Sequence, residues 1–566
     1  MRMRAVEMHA TISIFNPDRI VEVLDIMRQA GYNTLVLHDV PLIEDLVYPG
    51  AIFGAKVKAG VHRRYRDSYR ALYKYNPRRR SSMYQNVDYM RWVARRARER
   101  GIDLFFNNKE LYFPDALLEL RPELVKGGVV CPSEPAWKEF LQAKYDELFS
   151  DIPELAGMIT APGTGESRLA ISSSRCSCDK CAGTTAAQWY DMVVRSMYEV
   201  TRRHGKKLVI RDFVFDRKTQ DELAEAIHNF PADTVICLKN TPHDYYPTFP
   251  DNPRVGDVGD HEQWIEFDAM GQYFGWGIGP ALMADDIRAR LQYGEARGVS
   301  GLLVRVDWES LEGHSAFRTL NSFNVFAAGM LGEDPGVASR EIYRRWAGYV
   351  GALRGDLGPQ AVEGAVDWVQ EILSQAWPVT SRAVYAHDCV FNDSSQFPVS
   401  IDHAYWLAEE KNSLKDWDPS KEDALSSEAG NVRDLLAEKD AARADVQRLR
   451  ERVEQGHPGL DPRWHGEMIR RFRAFEEYVA GFQLVARAVF AGKHVRVHGS
   501  AADPELAKIA VHAAAEMARR AGHYRSSIAL DWYPAVLLLN GDRLDALRED
   551  LEETLEKAGY SPTRAA

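Results

Sequence analysis

Cysteine is scarce in this chain, six in 566 residues with three in one short stretch, which excludes a disulfide scaffold. Long apolar runs are missing as well: no window approaches the roughly 18 uninterrupted apolar residues of a membrane span. There is no excess of positive charge. Lys and Arg total 71 against 82 Asp and Glu, a net charge of -11, which argues against a nucleic-acid binder or an anionic-membrane binder. The opening stretch MRMRAVEMHATISIFNPDR has basic residues but neither an apolar core nor a small-residue cleavage site, so no secretion signal is expected and the expected compartment is the cytoplasm. What the chain does have is aromatic content, 10% with 13 Trp and 24 Tyr, enough for a large core and for stacking surfaces. Its length suits a catalytic unit with an appendage.

From the start to residue 335, short β-rich runs alternate with amphipathic helical stretches. The strand candidates are TISIF, NTLVLHDV, IDLFFNNK, GMITAPG, KLVIRDFVFD, DTVICLKN, EQWIEFD and GLLVRVD. Helical stretches such as PDRIVEVLDIMRQAG and NVDYMRWVARRARERG end at a glycine placed to cap them. Eight β/α repeats imply a parallel sheet closed into a (β/α)8 barrel, with Thr241 to His261 as an irregular Pro- and Asp-rich loop. Residues 336–566 shift to long helices. Val432, Leu435, Leu436, Ala442, Val446, Leu449 and Val453 recur at helical spacing, as do Phe472, Phe475, Tyr478, Val479, Phe482 and Val485. This α-helical half reads first as a bundle packed on the barrel, and second as a homodimerisation or substrate-capping region. The terminal SPTRAA is expected to fray.

In a barrel of this kind reactive groups belong at the C-terminal ends of the strands. Those ends carry His38 and Asp39; Asn107, Asn108 and Lys109; Glu166; Arg211 and Asp212; Lys239 and Asp244; Glu266 and Asp268; and Asp307, Glu309 and His314. A lone carboxylate at a strand end is unremarkable, but many converging on one face suit glycoside hydrolysis. That reaction needs one protonated and one ionised carboxyl group. Other readings of the same region fail on detail. APGTGES lacks the Lys-Ser/Thr pair of a phosphate loop, and Ser167 is not in a nucleophile elbow. Cys176, Cys178 and Cys181 have thiolate spacing that suits zinc, with Asp179 or His204 as helpers, but a closed site needs a fourth ligand that the spacing does not supply. The expectation is therefore reduced thiols in a tight loop, with no metal and no cofactor. His62 to Arg80 is basic and aromatic; it reads as a solvated loop, then as a rim attracting an acidic oligosaccharide, rather than as a nucleic-acid patch.

Several motifs together resemble the α-glucuronidases of glycoside hydrolase family 67: VICLKNTPHDYYPTFP, EQWIEFDAMGQYFG, SLEGHSAFRTLNSFNVFAAGMLGEDP, GVVCPSEPAWKEFLQAKYDELFSDIPELAGMITAPGTGES and KKLVIRDFVFD. The similarity runs from about Arg19 to Trp346. It implies a (β/α)8 barrel with a helical C-terminal region, and inversion at the anomeric centre. The resemblance puts the acid on Glu166, the basic side on Asp244 and Glu266, and a uronate-binding arginine on Arg211. Three features depart from the pattern: the family's separate N-terminal α/β domain is expected to be absent, the family's lysine just before its acid is replaced by Pro162, and the insertion Ser172 to Cys181 is foreign to it.

The resulting expectation is an exo-acting, inverting glycosidase that removes a terminal α-linked uronic acid from an oligosaccharide. Arg211 would be helped by Lys239 or Lys109; His38, Asn107 and His314 would line the sugar; and Trp308 or Trp276 would stack on it, unless the tryptophans are core. Period-2 alternation puts Val209, Arg211 and Phe213 on one strand face, so the Arg211 guanidinium meets either the substrate or the protein's own Asp244 or Glu266. The alternatives are a neutral or N-acetylated sugar, a non-catalytic sugar-binding barrel, and a metal-assisted hydrolase using His38, Asp39 and the cysteines. No nucleic-acid or membrane partner is expected.

Overall fold

The computed structural model describes residues 1–39, 42–47, 77–114, 117–118, 121–213, 217–308, 314–527 and 537–560. Eight parallel strands close into a barrel: β1 Met3–Met8, β2 Thr34–His38, β3 Asp103–Asn108, β4 Gly157–Thr160, β5 Lys207–Arg211, β6 Val235–Lys239, β7 Glu262–Asp268 and β8 Val299–Arg305. Closure runs through β1, which pairs in parallel with β2 (Ala5 with Thr34) and with β8 (Glu7 with Arg305). Most of the expected strands lie where their patterns put them. The first does not: TISI forms a short helix, Thr11–Ile14, and the strand is the preceding MRAVEM. In that segment the charged residues Arg4 and Glu7 interrupt the apolar run that marks the other strands.

The helices between strands follow local chemistry. Helix Pro17–Gln29 starts with Pro17 in its first turn, where no N–H is needed, and the Asn16 side chain accepts from the Arg19 N–H. Helix Ala186–Arg203 opens on a reciprocal capping box between Thr185 and Gln188. Gly31 and Gly101 follow their helices at φ 85° and 69°, a conformation that costs other residues a clash at Cβ. The barrel floor is apolar: Ala5, Val36, Phe105, Ile159, Val209, Cys237, Trp264 and Leu303 form one buried cluster. Phe105 and Trp264 meet edge to face, centroids 6.1 Å apart. Their bulk is matched by glycine on the neighbouring strands, since a Cβ at Gly157 or Gly301 would collide with these rings.

By contacts the chain divides into two compact units. One comprises Met1–Asn240, Asn252–Phe267 and Arg290–Gly313, and the other Thr241–Asp251, Asp268–Ala289 and His314–Ala566. In the second, helix Ala429–Gln455 packs on helix Pro462–Ala486, and Pro504–Ser527 on Gly541–Lys557. Both of the apolar stripes read from the sequence are buried there. The 241–261 segment contains no helix or strand. Among the described residues no helix is long and apolar enough to cross a membrane. His62 to Asn76, Glu309 and the SPTRAA tail lie outside the described residues.

Candidate active site

Two residues beyond the apolar floor, on the same inward face of every strand except β4, where Ile159 is followed by Ala161, the barrel turns polar. Ala5 is followed by Glu7, Val36 by His38, Phe105 by Asn107, Val209 by Arg211, Cys237 by Lys239, Trp264 by Glu266 and Leu303 by Arg305. All seven are buried, with Glu7, His38, Asn107, Arg211 and Glu266 at 0% exposure. Charge buried this deeply is tolerated only when paired, and within the ring Arg211 pairs with both carboxylates, Glu266 and Glu7. The Arg211 guanidinium grips both oxygens of Glu266, Nε to Oε2 at 2.6 Å and Nη2 to Oε1, and reaches Glu7 Oε2 at 3.5 Å. Glu7 Oε1 accepts from Asn107 Nδ2 at 2.6 Å and lies 3.0 Å from His38 Nδ1. The His38 ring stacks on His9 at 3.6 Å between centroids. Burial alone would raise the Glu7 carboxyl, but Arg211, His9, Asn107 and Arg305 outweigh it and hold it below the usual range.

Arg211 therefore meets the protein's own carboxylate, one of its two expected fates, and the partner is Glu266. Glu7 belongs to the same network and went unnoticed in the sequence. The signal that could have found it is the inward parity it shares with Ala5 in a strand of six residues.

Lys109 and Glu166 form the second feature. Lys109 follows β3 and is fully buried; its Nζ pairs with Glu166 Oε2, and the Glu166 side chain is 30% exposed. Pro162 occupies the position of the resembled family's lysine, yet an ammonium reaches the carboxylate from the neighbouring strand. Phe213 gathers three cations around its ring: Arg211 at 4.2 Å, Lys239 at 4.4 Å and Lys109 at 5.0 Å. Glu166 stands at the head of the loop whose turn is fixed by Thr164 Oγ1, which accepts from the Glu166 and Ser167 N–H groups at 3.1 and 3.2 Å.

Asp307, just past β8, is 1% exposed and accepts from the His9 N–H. Burial pushes its carboxyl up to about 7, although the His9 N–H and Arg19 work against that. The unfolded chain therefore releases this proton near pH 4 while the fold keeps it until about 7, so the contribution of Asp307 to stability falls as pH rises through that window. Asp307→Asn is expected to remove a slope of up to about 1.4 kcal/mol per pH unit from denaturant unfolding measured between those pH values. An unchanged slope would refute the assignment.

Asp244, Asp268, Trp276 and His314 lie in the second unit. Asp244 adopts φ 46°, rare for a non-glycine residue and concentrated at functional sites. Its carbonyl accepts from Thr241 Oγ1 at 2.6 Å, and its carboxylate is 3.9 Å from His243 Nε2. His314 is buried with Nε2 3.1 Å from the Trp276 carbonyl, and burial lowers its pKa to about 4, so the imidazole is neutral. Trp276 is a core residue: its indole N–H donates to the Ser394 carbonyl at 2.8 Å and its side chain is wholly buried. Trp308, in the first unit, is half-buried. Asp268 caps its own loop, accepting from the N–H groups of Met270, Gly271 and Gln272 at 2.9 to 3.2 Å.

The cysteine loop departs from expectation. Cys131, 45 residues before the CSCDKC segment, brings its sulfur to those of Cys176, Cys178 and Cys181, so the fourth sulfur that the spacing lacked is present.

The fold and this arrangement define a (β/α)8 barrel with a polar, carboxylate-bearing layer at the C-terminal ends of its strands. No family model and no curated protein matches the chain. Among solved structures it is similar to a glycoside hydrolase family 138 enzyme targeting pectin rhamnogalacturonan II, with 11% identity over 99% of this chain and 83% of that one and a TM-score of 0.60. It also matches an O-GlcNAc hydrolase from Thermobaculum terrenum (8% identity, 98% and 94% covered, TM-score 0.43). A third match is a family 20 exo-β-N-acetylglucosaminidase from Vibrio harveyi (12% identity, 62% and 57% covered, TM-score 0.38). At 11% identity the likeness to the family 138 enzyme shows the fold alone.

Proposed function

We propose that the chain is an exo-acting glycoside hydrolase, with Glu166 as proton donor and Glu266 and Asp244 positioning the attacking water. The observation that carries this reading is the buried ring in which Arg211 fixes both oxygens of Glu266. A barrel used only as a scaffold has no need to bury so many ionisable groups, whose desolvation is costly. A carboxylate oriented by two charge-assisted hydrogen bonds is held in one geometry, as a group that aligns a water must be. The strained backbone at Asp244 supports a functional role for that loop. Inversion is the expected stereochemistry, tested by NMR of the first-formed sugar; a retained anomer would make one of the basic pair a nucleophile.

The sugar divides into two readings. A neutral or N-acetylated sugar is supported by the commitment of Arg211 to Glu266. A uronic acid is supported by Lys109 and Lys239, two ammonium groups on the face of Phe213. In the second reading the substrate carboxylate accepts from Lys109, which loosens the ammonium's hold on Glu166 and favours the proton that Glu166 must donate.

Release assays on aldouronic oligosaccharides beside neutral and N-acetylated aryl glycosides test the reading, with the Lys109→Met and Lys239→Met variants in parallel. For a uronide-specific enzyme, Lys239→Met should lower kcat/KM on the uronide by about 10- to 100-fold and leave a neutral glycoside nearly unchanged. Removing the Lys109 charge should raise the pKa of Glu166, and so move the basic limb of the pH–rate profile upward by about one pH unit or more. Equal losses on both sugars would favour the neutral reading. No hydrolysis of any glycoside in the panel would remove the enzyme assignment.

A further inference from the structure

We propose that Cys131, Cys176, Cys178 and Cys181 form a closed tetrathiolate zinc site that fixes the loop carrying Glu166. Their four sulfurs lie within 4.8 Å of one another, Cys131 being 3.4 Å from Cys181 and 3.5 Å from Cys178. Zinc–sulfur bonds of about 2.3 Å in a tetrahedron put sulfurs about 3.8 Å apart, a spacing that falls between the two short separations and the 4.8 Å bound on the set. The separations are far beyond the roughly 2.05 Å of a disulfide, and all four cysteines are free. Four sulfur ligands leave no open coordination position, which makes the site structural and leaves the carboxylate chemistry untouched.

Two segments build it. Cys131 follows a two-strand hairpin, Val125–Lys126 with Val129–Val130, turned at Gly127 and Gly128. It is held by its N–H to the Leu124 carbonyl at 2.8 Å and by the Trp137 indole N–H on its own carbonyl, also at 2.8 Å. The other three arrive as Cys-x-Cys-x-x-Cys around the short helix Asp179–Ala182. Lys180 and Lys126 both pair with Glu134, at 3.0 and 3.4 Å, which joins the two segments and places positive charge beside ligands that would carry a net negative charge.

The loop itself calls for such a clamp. Between β4 and the helix at Ala186 the chain runs on with only that one-turn helix as regular structure, longer than loops usually remain without support. Leu169 and Ala170 are buried, but no residue from Ile171 to Thr185 is. Hydrophobic burial cannot fix this stretch. Metal ligation supplies the missing free energy, because the ligands come together only in the folded chain.

The test starts from the wild-type protein, purified without chelator under reducing conditions. Elemental analysis should find one zinc per chain, and mercuration of the thiols should release it stoichiometrically to a colorimetric indicator. Trypsin should cleave after Arg175 and Lys180 faster once the zinc is gone. Cys131→Ser and Cys181→Ser should each lower zinc content roughly tenfold or more. Should those variants fail to fold, cobalt added to the reduced metal-free wild type gives an independent reading, through the visible absorption of a tetrahedral tetrathiolate complex. Less than about a tenth of an equivalent of zinc after reconstitution, or cobalt spectra of an octahedral ion, would overturn the site.

Discussion

Glu166→Gln should lower turnover of an unactivated oligosaccharide by roughly 10²-fold or more, the usual scale of general-acid assistance. An aryl glycoside with an acidic leaving group needs little protonation, so its loss should be much smaller. The contrast between the two leaving groups carries the test, since a merely structural defect would depress both equally. Lys109 complicates the variant in a useful way. Its buried ammonium pairs with Glu166 Oε2, and the neutral amide leaves that charge without its carboxylate. Some loss of thermal stability is therefore expected alongside the rate effect. Glu166→Gln/Lys109→Met should restore stability without restoring turnover. Wild-type rates on the unactivated substrate would take Glu166 out of the mechanism.

What the sequence disclosed and what it hid follow from the range of the interactions involved. Strands that are near-continuous apolar runs, such as VICLK and GLLVR, are local patterns, and the helical stripes Val432 to Val453 and Phe472 to Val485 are too; both are legible residue by residue. The first strand was hidden because its inward residue Glu7 is charged, and a charge inside a strand is interpretable only when Arg211, Asn107 and His38 are known to surround it. The inward face of Arg211 could be read from period-2 alternation, but its partner could not. Asp244 and Glu266 were equally plausible, and the register of β6 against β7, with Lys239 opposite Glu266, is a tertiary fact. Cys131 is the plainest case: nothing in VVCPSE marks it as a ligand, and only the folding of the hairpin beside the CSCDKC loop brings the sulfurs together. In each instance the local pattern names the residue type, and the partner comes from a distant segment.

Arg211→Met should cost stability and activity together, on every sugar. The guanidinium is wholly buried between Glu266 and Glu7, so its removal takes the bidentate partner from Glu266 and leaves Glu7 with only the weaker support of His9, Asn107 and Arg305. Breaking a buried pair from one side typically costs about 3 to 5 kcal/mol. That loss is large enough to be seen as a marked fall in the unfolding midpoint. Glu266 would also lose the two hydrogen bonds that set its orientation, so kcat/KM should fall by comparable factors for a uronide and for the matching neutral glycoside. The double variant Arg211→Met/Glu266→Gln removes both members of the pair, and should regain much of the stability while remaining inactive. A different outcome would reassign the residue. If Arg211→Met kept wild-type stability and lost activity only on the uronide, the guanidinium would serve the substrate carboxylate rather than the orientation of Glu266.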